Sequence, residues 1–364
     1  DVDVTTFTVG NTVANVAFTG NGSSVANSFT PNNDGTFIFG ASGGTQTYNG
    51  GLNTASVDGT VTLNGTVATS NDAVVLGAVT LASATTVDTN SSDTTGDITI
   101  GAVTGGSNSL TLSTGDNVAN TDISASGAIS GVTTLTLSDV GGTATLSADV
   151  DVTTLTVGNT VANVAFTGNG SSVVNAVAFA NDGTLILGTS GGTQTYNGGL
   201  TTTGVGGTVG LNGEINVSGG NFVLGAVNID STTVLDLNGD NNSLSYGSFN
   251  DGTTGGNLTI NIDGSFNLNN STNIGSGNLT INVDIDNDGA ETLTVGISPR
   301  AALTIYNGSA ASNDSLTGPN SENIIWASRA IMMCHDYILL NGNHWKCTNT
   351  KAKKDLLKFT VKST

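Results

Sequence analysis

Four acidic residues near position 290 have the types and spacing of a metal site. Asp284, Asp286 and Asp288 alternate along the chain, a glycine follows them, and Glu291 comes two residues after that glycine. Alternate carboxylates before a glycine that permits a sharp turn are how a calcium loop assembles its oxygen ligands. An EF-hand would have glutamate where this chain has Val295, so the segment is not an EF-hand. We expect these four side chains to bind Ca²⁺ weakly, and the alternative is a solvated acidic turn between strands.

A second set of chemistry-bearing residues lies in the C-terminal segment 321–364, which contains every Cys, His, Trp and Met of the chain. Cys334, His335, His344 and Cys347 would suffice as zinc ligands, but their spacing matches no common zinc finger. In an exported protein the two cysteines would instead form a disulfide. A third interpretation is that the abrupt change in composition reflects translation in a shifted frame or a joined gene end. These three alternatives stay open.

Glycine-rich GNGSS segments begin at Gly20 and Gly168. A phosphate cradle would need a helix N-terminus after the glycines, and a P-loop would also need a lysine. In this chain an extended, strand-like segment follows instead. Asn-Gly is a strong turn signal, so both segments are predicted to be turns.

The residue types of positions 1–299 exclude most catalytic arrangements. This region has no His, Cys, Lys or Arg, so it cannot form a Ser/His/Asp or Cys/His arrangement. Paired carboxylates remain, but a glycosidase holds them in a cleft that is usually lined with aromatic residues, and this region has no Trp. We therefore expect a protein that is not an enzyme. The alternative is a polysaccharide-binding or polysaccharide-degrading β-helix.

The charge of the chain is divided unevenly. All eight Lys and Arg lie at or after Arg300, whereas 24 of the 28 Asp and Glu precede it. Binding to nucleic acid or to an anionic membrane needs basic side chains, so both partners are excluded for residues 1–299. The acidic surface favours an exterior in which divalent cations are present.

A duplication organises the chain at large scale. Residues 1–54 align without a gap on the residues 148 positions later, and 43 of these 54 positions are identical. A finer period is visible where GNLTINIDG at Gly256 returns, 21 positions later, as GNLTINVDI at Gly277. Seven turns of about 21 residues would fill one 148-residue unit, and a turn near that length suits a parallel β-helix.

Short strand patterns fill each of these turns. Segments such as TLTVG, NVAFTG and LTINI alternate apolar residues with Thr or Asn and end in Gly, Asn, Asp or Ser. The pattern predicts an all-β chain that folds as a right-handed parallel β-helix, in which Asn side chains at the corners hydrogen-bond from turn to turn. A series of β-sandwiches is the alternative, and it would leave the short period without a cause.

The expected domain organisation follows the duplication. We expect one β-helical repeat unit in residues 1–148 and a second in 149–299. Residues 300–320 would end the solenoid, and 321–364 would form an atypical basic tail that contains the Cys and His residues. No apolar run approaches the ~20 residues of a membrane-spanning helix, so we expect no transmembrane segment here and any export signal outside this chain.

The segments GGTQTYNGGL, VTTLTVG and GGNFVLGAVNI resemble the repetitive passenger regions of large bacterial surface adhesins, of the filamentous-haemagglutinin and autotransporter type. The resemblance covers about residues 1–299. It implies a right-handed parallel β-helix that is exported through the outer membrane. It also implies a non-enzymatic adhesin or stalk segment at the bacterial cell surface, or secreted, with glycans or proteins of host or neighbouring cells as partners.

Overall fold

The computed structural model describes residues 1–283 apart from 93–94, 116–119, 238–241 and 253–255, and beyond residue 283 it describes strands alone. The described residues contain no helix, and their parallel strands stack as a β-solenoid of about 12 turns. This confirms the all-β, parallel β-helical prediction. The handedness of the solenoid stays a prediction.

The chain forms two compact units. The first comprises residues 1–187 with 204–207, and the second comprises 188–203 with 208–364. The strands of the first unit are β1 (Asp3–Val4), β2 (Val16–Phe18), β3 (Ser24–Val25), β4 (Phe37–Phe39), β5 (Thr45–Tyr48), β6 (Leu52–Asn53), β7 (Val61–Ala68), β8 (Val74–Leu76), β9 (Val79–Ser91), β10 (Ile98–Ile100), β11 (Val103–Thr104), β12 (Leu110–Gly115), β13 (Ile123–Ala125), β14 (Ile129–Ser138), β15 (Val140–Leu146), β16 (Val150–Val157), β17 (Val161–Phe166), β18 (Ser172–Val173), β19 (Val177–Ala178) and β20 (Leu185–Leu187).

The second unit continues with strands of the same kind. They are β21 (Thr193–Tyr196), β22 (Leu200–Thr201), β23 (Val209–Asn216), β24 (Phe222–Leu237), β25 (Leu244–Asp251), β26 (Leu258–Ile262), β27 (Phe266–Leu268), β28 (Thr272–Asn273), β29 (Asn278–Val283), β30 (Thr292–Val295), β31 (Ala302–Asn307), β32 (Ser315–Thr317), β33 (Ile324–Ser328), β34 (Tyr337–Leu340) and β35 (Asn343–Lys346).

Strand pairing in the first unit forms three parallel ladders, which we call face 1, face 2 and face 3. Face 1 contains, in order, Val16, Phe37, Val61, Val79, Val103, Ile129 and Val150. Face 2 contains Thr45, Thr66, Thr86, Thr111, Thr136 and Thr156. Face 3 contains Phe29, Leu52, Val74, Ile98, Ile123, Ala144, Val164 and Leu185.

The turns differ in length although the strands stay in register. Val61 pairs with Val79, whereas Val103 pairs with Ile129, so the second of these turns contains a longer stretch of chain. The differences are absorbed at corners between faces, for example at the register shift between Leu63 and Gly65 in β7. The predicted turn of about 21 residues is therefore one of several lengths that the solenoid accommodates.

The 148-residue duplication does not correspond to whole turns. Val16 and Val164 are equivalent in the two copies, yet Val16 lies on face 1 and Val164 lies on face 3. Six turns along face 1 lead from Val16 to Val150, and the chain then crosses face 2 before it reaches Val164. The expectation of seven whole turns per copy is therefore wrong: one copy spans six turns and two of the three faces. The equivalent residues Val16 and Val164 accordingly lie on different faces of the first unit.

The interior is formed by the inward-facing residues of every strand. In β7 the buried and half-buried residues alternate from Val61 to Val67, as period-2 strands with one buried face require. Most inward residues are Val, Leu and Ile, but the first turns hold an aromatic cluster. Phe29 lies 5.2 Å from Phe7, 5.8 Å from Phe37 and 5.6 Å from Tyr48 between ring centroids.

The second copy has different inward residues at the equivalent sequence positions. Leu155, Val177, Leu185 and Leu187 replace four phenylalanines of the first copy, and Phe179 replaces Pro31. Both Pro31 and Phe179 are buried. In the first copy Phe29 packs against Phe7, Phe37 and Phe39, so the volumes at these four positions must change together to keep the interior closely packed.

Candidate functional site

The predicted calcium ligands Asp284, Asp286, Asp288 and Glu291 lie outside the described residues, so the site stays a prediction. Their place in the chain is defined by their flanking strands, because β29 ends at Val283 and β30 begins at Thr292. One turn earlier, the connection between β26 and β27 is only residues 263–265. Leu293 of β30 pairs with Phe266 of β27, so the two connections lead to neighbouring strands of one ladder. The acidic residues thus fall in the longer of these two equivalent connections.

The C-terminal cysteines and histidines are described only in part. Tyr337–Leu340 and Asn343–Lys346 form an antiparallel pair, in which His344 is opposite Leu339. Cys334, His335 and Cys347 lie outside the described residues. The zinc, disulfide and altered-frame hypotheses are therefore not tested by the structure, and all three stay open.

Both GNGSS segments are turns, as predicted. Ser23 is buried, and its Oγ accepts a hydrogen bond from the backbone N–H of Val2 at 3.0 Å. The backbone N–H of Gly22 donates to Asp1 Oδ1 at 2.9 Å. The last residue of the segment begins a short strand, Ser24–Val25. The second copy repeats these contacts at Ser171 and Gly170, so both groups serve the stacking of turns.

Asparagine side chains at the corners link successive turns, which confirms the sequence prediction. Asn15 Oδ1 accepts hydrogen bonds from the backbone N–H and the Oγ1 of Thr36, one turn later, at 3.1 and 2.8 Å. Asn27 Nδ2 donates to Thr6 Oγ1 at 2.9 Å. In the second unit, Asn257 Oδ1 accepts a hydrogen bond from the backbone N–H of Asn278, one turn later, at 2.9 Å. The corner amides therefore have a structural role.

A buried Gln–Tyr pair is the polar feature that the sequence analysis missed. Gln46 and Tyr48 both face the interior, and the Tyr48 hydroxyl donates to Gln46 Oε1 at 2.7 Å. Gln46 Nε2 in turn donates to the carbonyl oxygens of Phe18 and Gly20. The signal was present in TQTY, where strand alternation places Gln and Tyr on the inward side. Because the pair is buried and hydrogen-bonded, we assign it to stability.

The second copy contains the same pair at Gln194 and Tyr196, where the hydroxyl donates to Gln194 Oε1 at 3.1 Å. Burial removes water from both tyrosines, and it raises the pKa of Tyr48 and the pKa of Tyr196 well above the ordinary value. A phenol in this environment stays neutral and serves as a hydrogen-bond donor rather than as a base.

The described residues contain neither a cluster of metal-ligating side chains nor a membrane-spanning helix. Within these residues, no three His, Cys, Asp or Glu side chains come close enough together to hold a metal ion. The same part of the chain contains no helix that is long and apolar enough to cross a membrane.

Comparisons with known proteins do not assign this chain to a family. No family model matches the chain, and neither a curated protein nor a solved structure is significantly similar to it. The β-solenoid repeat architecture is compatible with a repetitive β-helical passenger region.

Proposed function

We propose that this chain is a segment of an exported bacterial surface protein that acts as an adhesin or stalk and has no enzymatic activity. The observation that carries the proposal is the uniform construction of the described turns. Most of their inward residues are apolar, their outward residues are mainly Thr, Ser, Asn and Asp, and their corners are linked by hydrogen bonds from one turn to the next. Each added turn then creates new surface without needing a new core design.

Repetition also favours attachment over catalysis. A solenoid in which similar outward residues recur offers many equivalent weak contacts, and such contacts add through avidity. The absence of Lys and Arg from residues 1–299 is consistent with an acidic surface that stays soluble outside the cell. Glycans or proteins of host or neighbouring cells are the proposed partners, and Ca²⁺ at Asp284, Asp286, Asp288 and Glu291 is the proposed cofactor.

The test compares binding with cleavage on the same ligands. The full chain is applied to an array of glycans and extracellular proteins, and it is separately incubated with soluble polysaccharides while new reducing ends are measured. We expect retention on the array without new reducing ends, and a heat-unfolded sample of the chain serves as the control. Product formation without retention would replace this proposal with a polysaccharide-degrading β-helix.

A further inference from the structure

One outward column of face 2 consists of threonine on six successive turns. Strand pairing aligns Thr45, Thr66, Thr86, Thr111, Thr136 and Thr156 in order. All six side chains are exposed or half-buried. The inward residues beside them, such as Val87, Leu112 and Leu137, are buried. The column therefore lies on a parallel sheet that is supported by the apolar interior.

Threonine also occupies the adjacent outward column on two of these turns. Thr134 pairs with Thr154, and each lies two residues before a member of the six-residue column. We call these eight residues the threonine surface. The corresponding outward positions of the other faces are mixed: face 3, for example, has Val75, Thr99 and Ser124 in succession. Strands prefer β-branched residues in general, but this preference would act on all three faces. It therefore does not explain why only face 2 has threonine at the same outward position on six successive turns.

The hydroxyls of the six-residue column are not used by the fold. None of them makes a hydrogen bond to another group of the described chain. Buried corner threonines behave differently, because Thr85 Oγ1 donates to the carbonyl of Ser83 at 3.0 Å and Thr89 Oγ1 donates to that of Gly96 at 2.6 Å. The column thus presents six free hydroxyls, each beside a methyl group, at regular intervals.

The regular spacing of the threonines and the absence of charge among them limit the ligands that the threonine surface can bind. Strands repeat at about 4.8 Å across the turns, and alternate residues of one strand lie about 6.6 Å apart along it. A complementary ligand must repeat its donors and acceptors in two directions and carry no charge. Ice has such a surface, because its oxygens recur along one axis at close to the strand spacing, and each oxygen both donates and accepts.

Other occupants fit less well. The threonine surface contains no aromatic side chain on which sugar rings would stack and no cation that would bind phosphates. A second copy of this chain would bring two strongly acidic chains together, since residues 1–299 contain 24 acidic and no basic residues. Like charges oppose that association, whereas ice is neutral.

We propose that the threonine surface binds ice. The hydroxyls hydrogen-bond to oxygens of the ice surface while the methyl groups displace less ordered water between them, and the contacts add along the column. The proposal is independent of the adhesin proposal, because it rests on one face of the first unit and not on export or on a cellular partner.

The test measures incorporation of the full chain into slowly growing ice, beside an unrelated acidic protein in the same solution. Thr111→Lys places a long charged side chain in the middle of the column, while Thr99→Lys places it on face 3 of the same turn as a matched control. We expect the parent and Thr99→Lys to be enriched in the ice and Thr111→Lys to fall to the level of the unrelated protein, with all three giving the same β-type circular dichroism.

Two results would overturn the proposal. One is exclusion of the parent chain from ice to the same extent as the unrelated protein. The other is an equal loss of incorporation in Thr99→Lys and Thr111→Lys, which would assign the effect to charge rather than to the surface. Retention of the parent on crystalline cellulose or chitin, lost only in Thr111→Lys and without incorporation into ice, would assign the surface to a glycan.

Discussion

Asn163 Oδ1 accepts two hydrogen bonds from Thr184, one from its backbone N–H and one from its hydroxyl, both at 2.9 Å. Asn163 lies in β17, and Thr184 immediately precedes β20, the next strand of face 3. The same pair occurs in the first copy at Asn15 and Thr36. In that copy the pair lies next to face 1, whereas Asn163 and Thr184 lie next to face 3. The contact is therefore a property of the local sequence and not of the face on which it lies.

Substitution of Asn163 tests the side-chain contacts between successive turns. Asn163→Ala removes the two accepted hydrogen bonds and a third that Asn163 Nδ2 donates to the Gly142 carbonyl at 3.3 Å. At about 1 kcal/mol for each bond, we expect the free energy of unfolding to fall by about 3 kcal/mol. Chemical denaturation of the full chain measures the change. Asn159→Ala is the matched control, because Asn159 is exposed and has no side-chain hydrogen bond. Equal losses in the two variants would show that Asn163 contributes nothing specific.

The aromatic cluster predicts that truncation of an inward residue lowers the free energy of unfolding more in the first copy than at the equivalent position of the second copy. Phe29→Ala should lower the free energy of unfolding by about 3–5 kcal/mol, because it leaves a large cavity in the interior. Val177→Ala, at the equivalent position of the second copy, removes two carbon atoms and should cost about 2 kcal/mol. Denaturation of both variants measures the difference, and similar values would contradict the packing described for the first copy.

A compensation experiment follows from the same comparison. The second copy has Val177 with Phe179 where the first has Phe29 with Pro31. We expect Phe29→Val with Pro31→Phe to be more stable than the sum of the single substitutions predicts, because the added ring refills the lost volume. A strictly additive double variant would show that these two positions do not share space.

Alkaline pH should destabilise the chain through its buried tyrosines. Burial raises the pKa of Tyr48 and the pKa of Tyr196, so the unfolded state loses these protons near pH 10, before the folded state does. Their contribution to stability is thus complete below pH 10 and is lost as the pH rises above it. Thermal melting against pH measures the loss, which should be smaller in Tyr48→Phe/Tyr196→Phe. Tyrosinate absorbance from these two residues near pH 10 in the folded chain would contradict the prediction.

The calcium prediction is tested by melting temperature. Four carboxylates close in sequence repel one another until a cation joins them, and binding at ~10⁻⁴ to 10⁻³ M is typical of extracellular modules. Millimolar Ca²⁺ should therefore raise the melting temperature of the parent more than Mg²⁺ does at equal ionic strength. The variant Asp286→Asn/Asp288→Asn should lose this difference. If Ca²⁺ raised the melting temperature of parent and variant equally, the segment 284–291 would be a solvated acidic turn and not a calcium site.

The sequence predicted the fold because the strand alternation and the turn residues agree in nearly every turn. It did not predict the displacement of Val164 to face 3, since turn lengths are decided by how corners pack, as at Leu63 and Gly65, and leave the strand patterns unchanged. The Gln46–Tyr48 pair was missed for a related reason: an inward polar residue is stable only with partners such as the carbonyl of Phe18, which lie on other turns.

Strand register is the central claim, and a pair of engineered cysteines tests it most directly. Cys334→Ser and Cys347→Ser remove the native thiols, and Thr99→Cys is combined with either Ser124→Cys or Asn120→Cys. The structure pairs Thr99 with Ser124. A uniform turn of about 21 residues would instead pair Thr99 with Asn120.

Paired strands lie about 4.8 Å apart, within reach of a disulfide, and Asn120 is four positions, or roughly 13 Å of extended chain, from Ser124. Mild oxidation of each double-cysteine chain, followed by separation of cross-linked from open forms, measures which pair is in contact. We predict an intramolecular disulfide between residues 99 and 124 and none between 99 and 120, and the reverse outcome would contradict the account.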